Sequence, residues 1–494
     1  MSAQPRDLEW GPGSPFQAQG NAFVSNPCSE GSIRQAIHIR ATLTDALRRS
    51  LPAIPIPTIL DDCITVFVHS FFPSAPICHE PTLRKYASEH FADSGRGNQW
   101  RHVFLYASEE EQIGAMRSFS LITGLCAAIA VVQARAFLPY GSTIAQPFLR
   151  ASREMLRIFE DHDLEHPTWA SIAIRIFHSS TIHHGTGQPN LQFHCMGQAR
   201  LIVQNMRLHD EASLARWGPL DAELLRNNFW LLYVADKSAA SLNSRPFMLH
   251  EALFDTGLTL KERGSPRIPL LDPSSPRNQS HFEERILEAF HFTRRLRILA
   301  ADIIYGLRMH HRQFDSQHSR DEQVGRLSRM YLEFTYFLDN MPPWIESPDT
   351  AIESQDNMAA RYQKDAFWLQ RTHLVVTFHC MRMVILHQCI EHGLTSVIGL
   401  DRNAVALSMR EAETGRDFVR TLESFQFQYL QAIGEPCVEQ IRHVGSILLE
   451  LSHRAANEMT RERAGGYLSR LLDILSRLDS RASDALISPA TPVS

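Results

Sequence analysis

The sequence predicts an all-α fold, a large irregular helical domain, on three observations. From Ser32 onward apolar residues recur at helical spacing almost throughout. Strict apolar–polar alternation bounded by turn residues, the mark of strands and hairpins, is not found. No stretch repeats at a fixed period of roughly 20–50 residues, which argues against a regular solenoid.

Three regions follow from composition. Residues 1–30 are rich in Gly, Pro, Ser and Asn without periodicity and read as a disordered lead-in, 31–482 as the helical domain, and 483–494 as a disordered tail. The segment LPAIPIP (51–57) is expected to be extended, because proline disfavours helix at the residue before it. Thr58 can then cap a helix that runs to Pro73. Further helices are expected near 81–91, 111–136, 142–161, 168–182, 191–208, 221–242, 281–312, 321–340, 355–392, 400–427, 435–457 and 463–481. Between them, 255–280 is the main internal loop, too rich in Pro, Ser and Gly for a regular element, and DNMPPWIESPD (339–349) is a second break.

Two helices show how the core should form. In 435–457, Cys437, Ile441, Val444, Leu448 and Leu451 make one apolar stripe, which Ile447 and Leu449 widen. Glu439, Gln440, Arg442 and His443 fall mostly elsewhere. The most apolar window, 118–134, contains Ser118, Ser120, Thr123, Gly124 and Gln133. A bilayer-spanning helix needs about 20 predominantly apolar residues, so this window reads as a core helix and the chain as soluble, without a membrane partner.

Charge and cysteine usage narrow the function classes. Lys and Arg number 49 against 54 Asp and Glu, a net charge of −5 that gives no basic field for nucleic acid. The first residues, MSAQPRDLEWGPGSP, do not read as a signal peptide. Eight scattered cysteines without a C-x2-C pair read as reduced intracellular thiols.

Searches for chemistry give little. The phosphate-binding, dinucleotide, nucleophile-elbow and H-E-x-x-H patterns are not found in the sequence, so an enzyme is not expected. His162 and His166 lie beside Asp161, Asp163 and Glu165, and DHDLEHP reads as a solvated turn between helices and not as a metal site. His178, His183 and His184 read as residues near a helix end that can interact with terminal carbonyls. His379, Met383 and His387 share a helical face and read as core or groove lining.

The informative region is 191–246. Cys195, Ala199, Ile202 and Met206 form one stripe, and Gly197 and Ala199 permit close approach by a neighbouring helix. On the next helix Leu225, Phe229, Leu232, Asp236 and Ala240 share a face. A carboxylate on an apolar face needs a partner. Arg245, fixed by Pro246, is the nearest, so an Asp236–Arg245 latch is expected at the helix–loop junction; the competing reading gives Arg245 to an anionic ligand.

These residues resemble the fungal-specific transcription factor domain, the middle homology region of the zinc-cluster regulators. The matching pieces are MRLHDE (206–211), with Leu208 and His209, then RNNFWLLYVAD (226–236), with Arg226, Phe229, Trp230, Tyr233 and Asp236, then SRP (244–246), with Arg245 and Pro246. Upstream VHSFFPSAPICHEPTL (68–83) and downstream LVVTFHCMRMVILH (374–387) fit the same pattern, and the resemblance covers about residues 58–455. Met206, Arg207 and Ser244 depart from the family's residues, and GLTL (257–260) lacks its usual Leu-Pro.

The resemblance implies a nuclear transcriptional regulator of a metabolic or secondary-metabolite pathway. It also implies DNA contact through six cysteines holding two zinc ions. Only Cys28 precedes residue 63, so that site cannot form from these residues and no cofactor is expected. DNA contact is therefore expected indirectly, through a partner transcription factor in a homo- or heterodimer, or through a zinc-cluster exon absent from this sequence. The alternative is a stand-alone small-molecule-sensing or co-regulatory protein that does not bind DNA. For a small-molecule effector, the groove beside Arg245, His379 and His387 is the candidate.

Overall fold

Some helix starts in the computed structural model carry a side-chain cap and others begin at proline. It describes residues 27–478 apart from 92–103, 106–107, 133–137, 187, 244, 266, 279–280, 314–316 and 351–357. Most of the expected lead-in, the whole tail and Ser244 lie outside the described residues. α1 (Glu30–Ser50) is capped by Ser29, whose hydroxyl accepts the Ser32 N–H. Glu30 in its first turn and Arg48 and Arg49 in its last complement the helix dipole.

α2 (Ile56–Val66) begins earlier than expected, and Thr58 is not its cap. Pro55 precedes it and Pro57 occupies the first turn, where a missing N–H breaks no helical bond. A π-turn at Phe67–Phe71 continues it, and the helical path ends just before Pro73.

α3 (Glu80–Phe91) leads to α4 (Glu109–Val132), which packs against α2, α3, α5 (Gly141–Glu165) and α6 (Trp169–Thr186). Surrounded in this way, α4 buries every residue from Ser118 to Ala130, so its sequence shows little amphipathic contrast. Its polar residues are satisfied locally. Thr123 donates to the Phe119 carbonyl at 2.7 Å, and Ser120 and Ser152 donate to each other's carbonyl oxygens at 3.0 and 2.7 Å. Ser152 Oγ also meets His178 Nε2 at 2.7 Å, tying α4, α5 and α6 together.

α7 (Pro189–Asn205) packs on α6, and α8 (Pro219–Asn243) touches both α6 and α9 (Phe282–Gln313). The remaining helices are α10 (Gln317–Thr335), α11 (Pro343–Glu346), α12 (Met358–Glu391), α13 (Ala404–Ser424), α14 (Phe427–Ile433), α15 (Glu435–Arg454) and α16 (Glu458–Leu478). α12 is their centre and touches α9, α13, α14 and α15. One contiguous apolar cluster runs from Ala36 to Leu475, and no strand occurs among the described residues. The protein is all-α.

α4 and α12 are both long and apolar enough to cross a membrane, by length and composition alone; most of each apolar window is buried inside the protein.

Several expectations need correction. The α15 stripe is buried as expected, but Leu449 is exposed and Gln440 is buried, donating to Thr377 Oγ1 at 3.0 Å. α14 and the short α11 were not expected, and a 3₁₀ turn at Pro276–Asn278 interrupts the 255–280 loop. DHDLEHP is a solvated turn only in part, with Asp161, Leu164, Glu165 and His166 exposed. Its Asp163 is fully buried at the end of α5, where Arg117 Nε reaches it at 2.9 Å and Arg175 Nη1 at 2.6 Å, while Ser171 donates at 2.7 Å. Two guanidinium groups and a hydroxyl make burial of that carboxylate tolerable.

Candidate functional site

The chain between α8 and α9 has few helical hydrogen bonds of its own, so its backbone groups need other partners. The residues singled out on α7, α8 and the turn between them supply many of them. Four carboxylate or imidazole groups act as clamps along this loop.

Asp236, on the buried face of α8, accepts the N–H groups of Met248 and Leu249 through Oδ2, each at 2.9 Å. Its Oδ1 meets Arg200 Nε at 3.1 Å, and both side chains are 2% exposed. The expected latch therefore exists with a different partner. Arg245 lies over the Phe193 ring, 4.4 Å from its centroid, beside exposed Pro246. The reason is geometric: α7 packs alongside α8 and presents Arg200 to the carboxylate, whereas the chain after α8 offers it backbone N–H groups. Gly197 faces Met248 of this loop and not a neighbouring helix, with room for a Cβ at 3.9 Å from the methionine methyl.

One turn earlier, Tyr233 donates to Glu251 and stacks on Phe229, with 5.7 Å between ring centroids. Trp230 Nε1 donates to the Lys261 carbonyl at 2.9 Å, and the Arg294 guanidinium covers its ring at 3.8 Å. Arg226 binds Glu223 at 2.6 Å and Glu211 at 2.7 Å. Those two carboxylates accept the N–H groups of Gly264 at 2.8 Å and Lys261 at 2.9 Å. A Cβ at Gly264 would come within 2.7 Å of Glu223 Oε2 and 2.9 Å of Arg226 Nη1, so a side chain there would have to displace the ends of this buried pair.

His209 closes the row. Its ring stacks on Phe254 at 4.4 Å, Nε2 meets Thr256 Oγ1 at 3.1 Å and Asp255 Oδ1 at 3.2 Å, and its carbonyl accepts the N–H groups of Thr259 and Leu260. Leu208 beside it is fully buried, and Arg207 before it adopts the left-handed conformation with φ of 56°. Positive φ is costly for a residue with a Cβ and marks a turn imposed by its surroundings.

The upstream segment joins the same assembly. Asn227 donates to the Pro76 carbonyl at 3.0 Å, Glu80 accepts the Asp272 N–H at 3.0 Å, and the Leu270 carbonyl accepts the Glu80 N–H at 2.7 Å. From α12, Gln370 donates to the carbonyls of Pro73 and Ile286 at 2.8 and 2.9 Å.

The groove expected from Arg245, His379 and His387 is not assembled. Arg245 rests on α7, whereas His379 and His387 lie on α12 among groups of α13 and α15. Burial, aided by Arg382, pushes the His379 imidazole down to about 4. His387 has the opposite shift. Its hydrogen bond from Nδ1 to Glu411 at 3.2 Å raises it above the ordinary imidazole value, against the opposing effect of burial. Glu411 is itself fully buried and also binds Arg454.

His178, His183 and His184 do not serve the helix end in one common way. His178 is buried on Ser152, His183 pairs with Glu439 at 3.3 Å, and burial pushes both His178 and His184 down to about 3. His162 stacks on His166 with centroids 4.8 Å apart. No group of three His, Cys, Asp or Glu with metal-binding geometry occurs among the described residues. Seven of the eight cysteines are buried as free thiols, so these residues do not fit the binuclear zinc cluster of the resembled family. The clamps on α8 and the turn before it fasten backbone.

Compared with known proteins, the chain matches no family model and no curated relative.

Proposed function

We propose that this chain is the regulatory domain of a nuclear transcriptional regulator of the fungal zinc-cluster type, controlling a metabolic or secondary-metabolite pathway. One observation carries the reading. The segments 68–83, 206–211 and 226–236 meet through side chains of α8, and Gln370 of α12, the helix that also carries 374–387, donates to the Pro73 carbonyl. Short motifs matched by chance have no reason to converge; pieces of one inherited scaffold do.

DNA contact then comes through a partner factor in a homo- or heterodimer, or through a zinc-cluster exon absent from this sequence. The net charge of −5 supports an indirect route, because sequence-independent DNA affinity comes from cationic groups on phosphates. Chromatin immunoprecipitation of the tagged chain tests this. Enrichment at discrete promoters, lost when the partner is removed, is the expected result; a chain absent from chromatin under all growth conditions overturns it.

A second reading, a co-regulatory protein that senses a small molecule without touching DNA, is favoured by a cationic cavity beside α8.

A further inference from the structure

Where α8, α9 and α12 meet the Pro73–Ser74 turn, a cavity of about 40 Å³ opens between Leu231, Val234, Phe290, Arg294, Arg297 and His373. Ser74, Leu231, Thr293, Arg297 and His373 are only half-buried, so the cavity reaches the surface. Its chemistry is unbalanced. Two guanidinium groups line it, and the lining contains no carboxylate. Arg294 is paired with Glu262 outside the lining. Arg297 has no carboxylate within ion-pairing distance among the described residues; its Nη2 meets His373 Nε2 and, at 3.4 Å, Thr377 Oγ1.

Three donor positions remain without a partner: Nε of Arg297, and Nε and Nη1 of Arg294, which is 4% exposed. Desolvation pulls both guanidinium groups down to about 10, so both remain charged at neutral pH. Burial and the adjacent Arg297 charge push His373 well below the ordinary imidazole value. His373 is therefore neutral, and its Nε2 can accept from Arg297 without compensating the charge. Gln370 also lines the cavity. Its amide nitrogen donates to two carbonyls, which fixes its orientation and leaves Oε1 without a donor.

We propose that this cavity binds the carboxylate end of a small organic acid, with Arg297 as its ion-pair partner and Gln370 accepting from an adjacent hydroxyl or amino group. A desolvated guanidinium with no carboxylate at ion-pairing distance favours an anionic partner, and its unpartnered Nε can donate to a planar carboxylate beside the free Arg294 donors. Size selects the same ligand. A water-sized group needs roughly 10–15 Å³ measured in this way, so the cavity holds about three such groups: a carboxylate and one neighbour. Leu231, Val234 and Phe290 supply the apolar wall for the rest of the ligand. The assignment rests on the cavity alone and stands or falls separately from the transcriptional reading.

Titration calorimetry and thermal unfolding of the purified chain with sodium glycolate, acetate, phosphate and chloride at constant ionic strength test it. Glycolate is expected to bind saturably and raise the unfolding midpoint, acetate more weakly, phosphate and chloride not at all. Arg297→Lys keeps the charge but loses the planar Nε donor, and should weaken glycolate binding at least tenfold; Arg297→Met should abolish it. Should Arg297→Met not fold, Leu231→Trp, which fills the cavity from its rim, must also abolish binding. Glycolate without a saturable signal, binding retained in Arg297→Lys and Leu231→Trp, phosphate matching glycolate, or acetate equalling glycolate would each overturn the assignment.

Discussion

Asp236 and Arg200 form a buried ion pair that joins α8 to α7, and the same carboxylate holds the backbone of Met248 and Leu249. Removing one member of a buried pair leaves the other charge uncompensated, at a cost of about 3–5 kcal/mol. Asp236→Ala should therefore lower stability to urea by about that amount. Arg245→Ala loses only a half-buried contact with Phe193 and should cost about 1 kcal/mol. Equal costs for the two variants would contradict the assignment of Arg200 as the partner.

The left-handed Arg207 gives a second test. Glycine adopts positive φ without a Cβ penalty, so Arg207→Gly should be more stable than Arg207→Ala by about 1 kcal/mol. Both variants lose the exposed ion pair with Asp255 equally, and that pair is worth little in solvent. Denaturant midpoints that rank alanine above glycine would show that the turn is not held as described.

Gly264 sits against the Arg226–Glu223 pair, and a methyl group there must displace a buried charged contact. Gly264→Ala is expected to destabilise by about 1–3 kcal/mol. Amide exchange should report the damage locally, with faster exchange at Lys261 and at residue 264. Unchanged exchange at both would refute the clamp.

Two histidines should bias stability in opposite directions with pH. His387 has a raised folded pKa from its Glu411 hydrogen bond, so its contribution is complete below about 6.5 and is lost as pH rises through the folded value. His178 is pushed down to about 3 by burial, so protons favour the unfolded chain and stability falls as pH drops from about 6.5 toward 3. Relative to the parent chain, His387→Gln should show its deficit below the ordinary imidazole value and recover above it. Denaturation across pH 5–9 checks this, and a deficit that grows with pH would reverse the assignment.

How much of this was legible in the sequence depends on which residues meet. The stripes of α8 and α15 could be read because helical spacing alone places Leu225, Phe229, Leu232 and Asp236, or Cys437, Ile441 and Val444, on one buried face. That Asp236 needed a partner was also legible. Which partner was not, because Arg245 is nearer along the chain while Arg200 is nearer in space, and helix packing decides between them. Asp163 shows the same limit more severely. DHDLEHP has the composition of a solvated turn, and the cations that permit burial of Asp163 within it, Arg117 and Arg175, lie on other helices. The cavity around Arg297 left no trace in sequence because it draws its lining from four separate segments.

The central claim, that this chain regulates transcription, is tested most directly by tethering. The full chain fused to a heterologous DNA-binding module should change transcription of a matching reporter several-fold relative to the module alone, in a fungal host. Asp236→Ala, which unfastens the α8 junction, should weaken that change at equal protein level. Reporter output identical to that of the module alone, under conditions in which the fusion is folded and nuclear, would contradict the account.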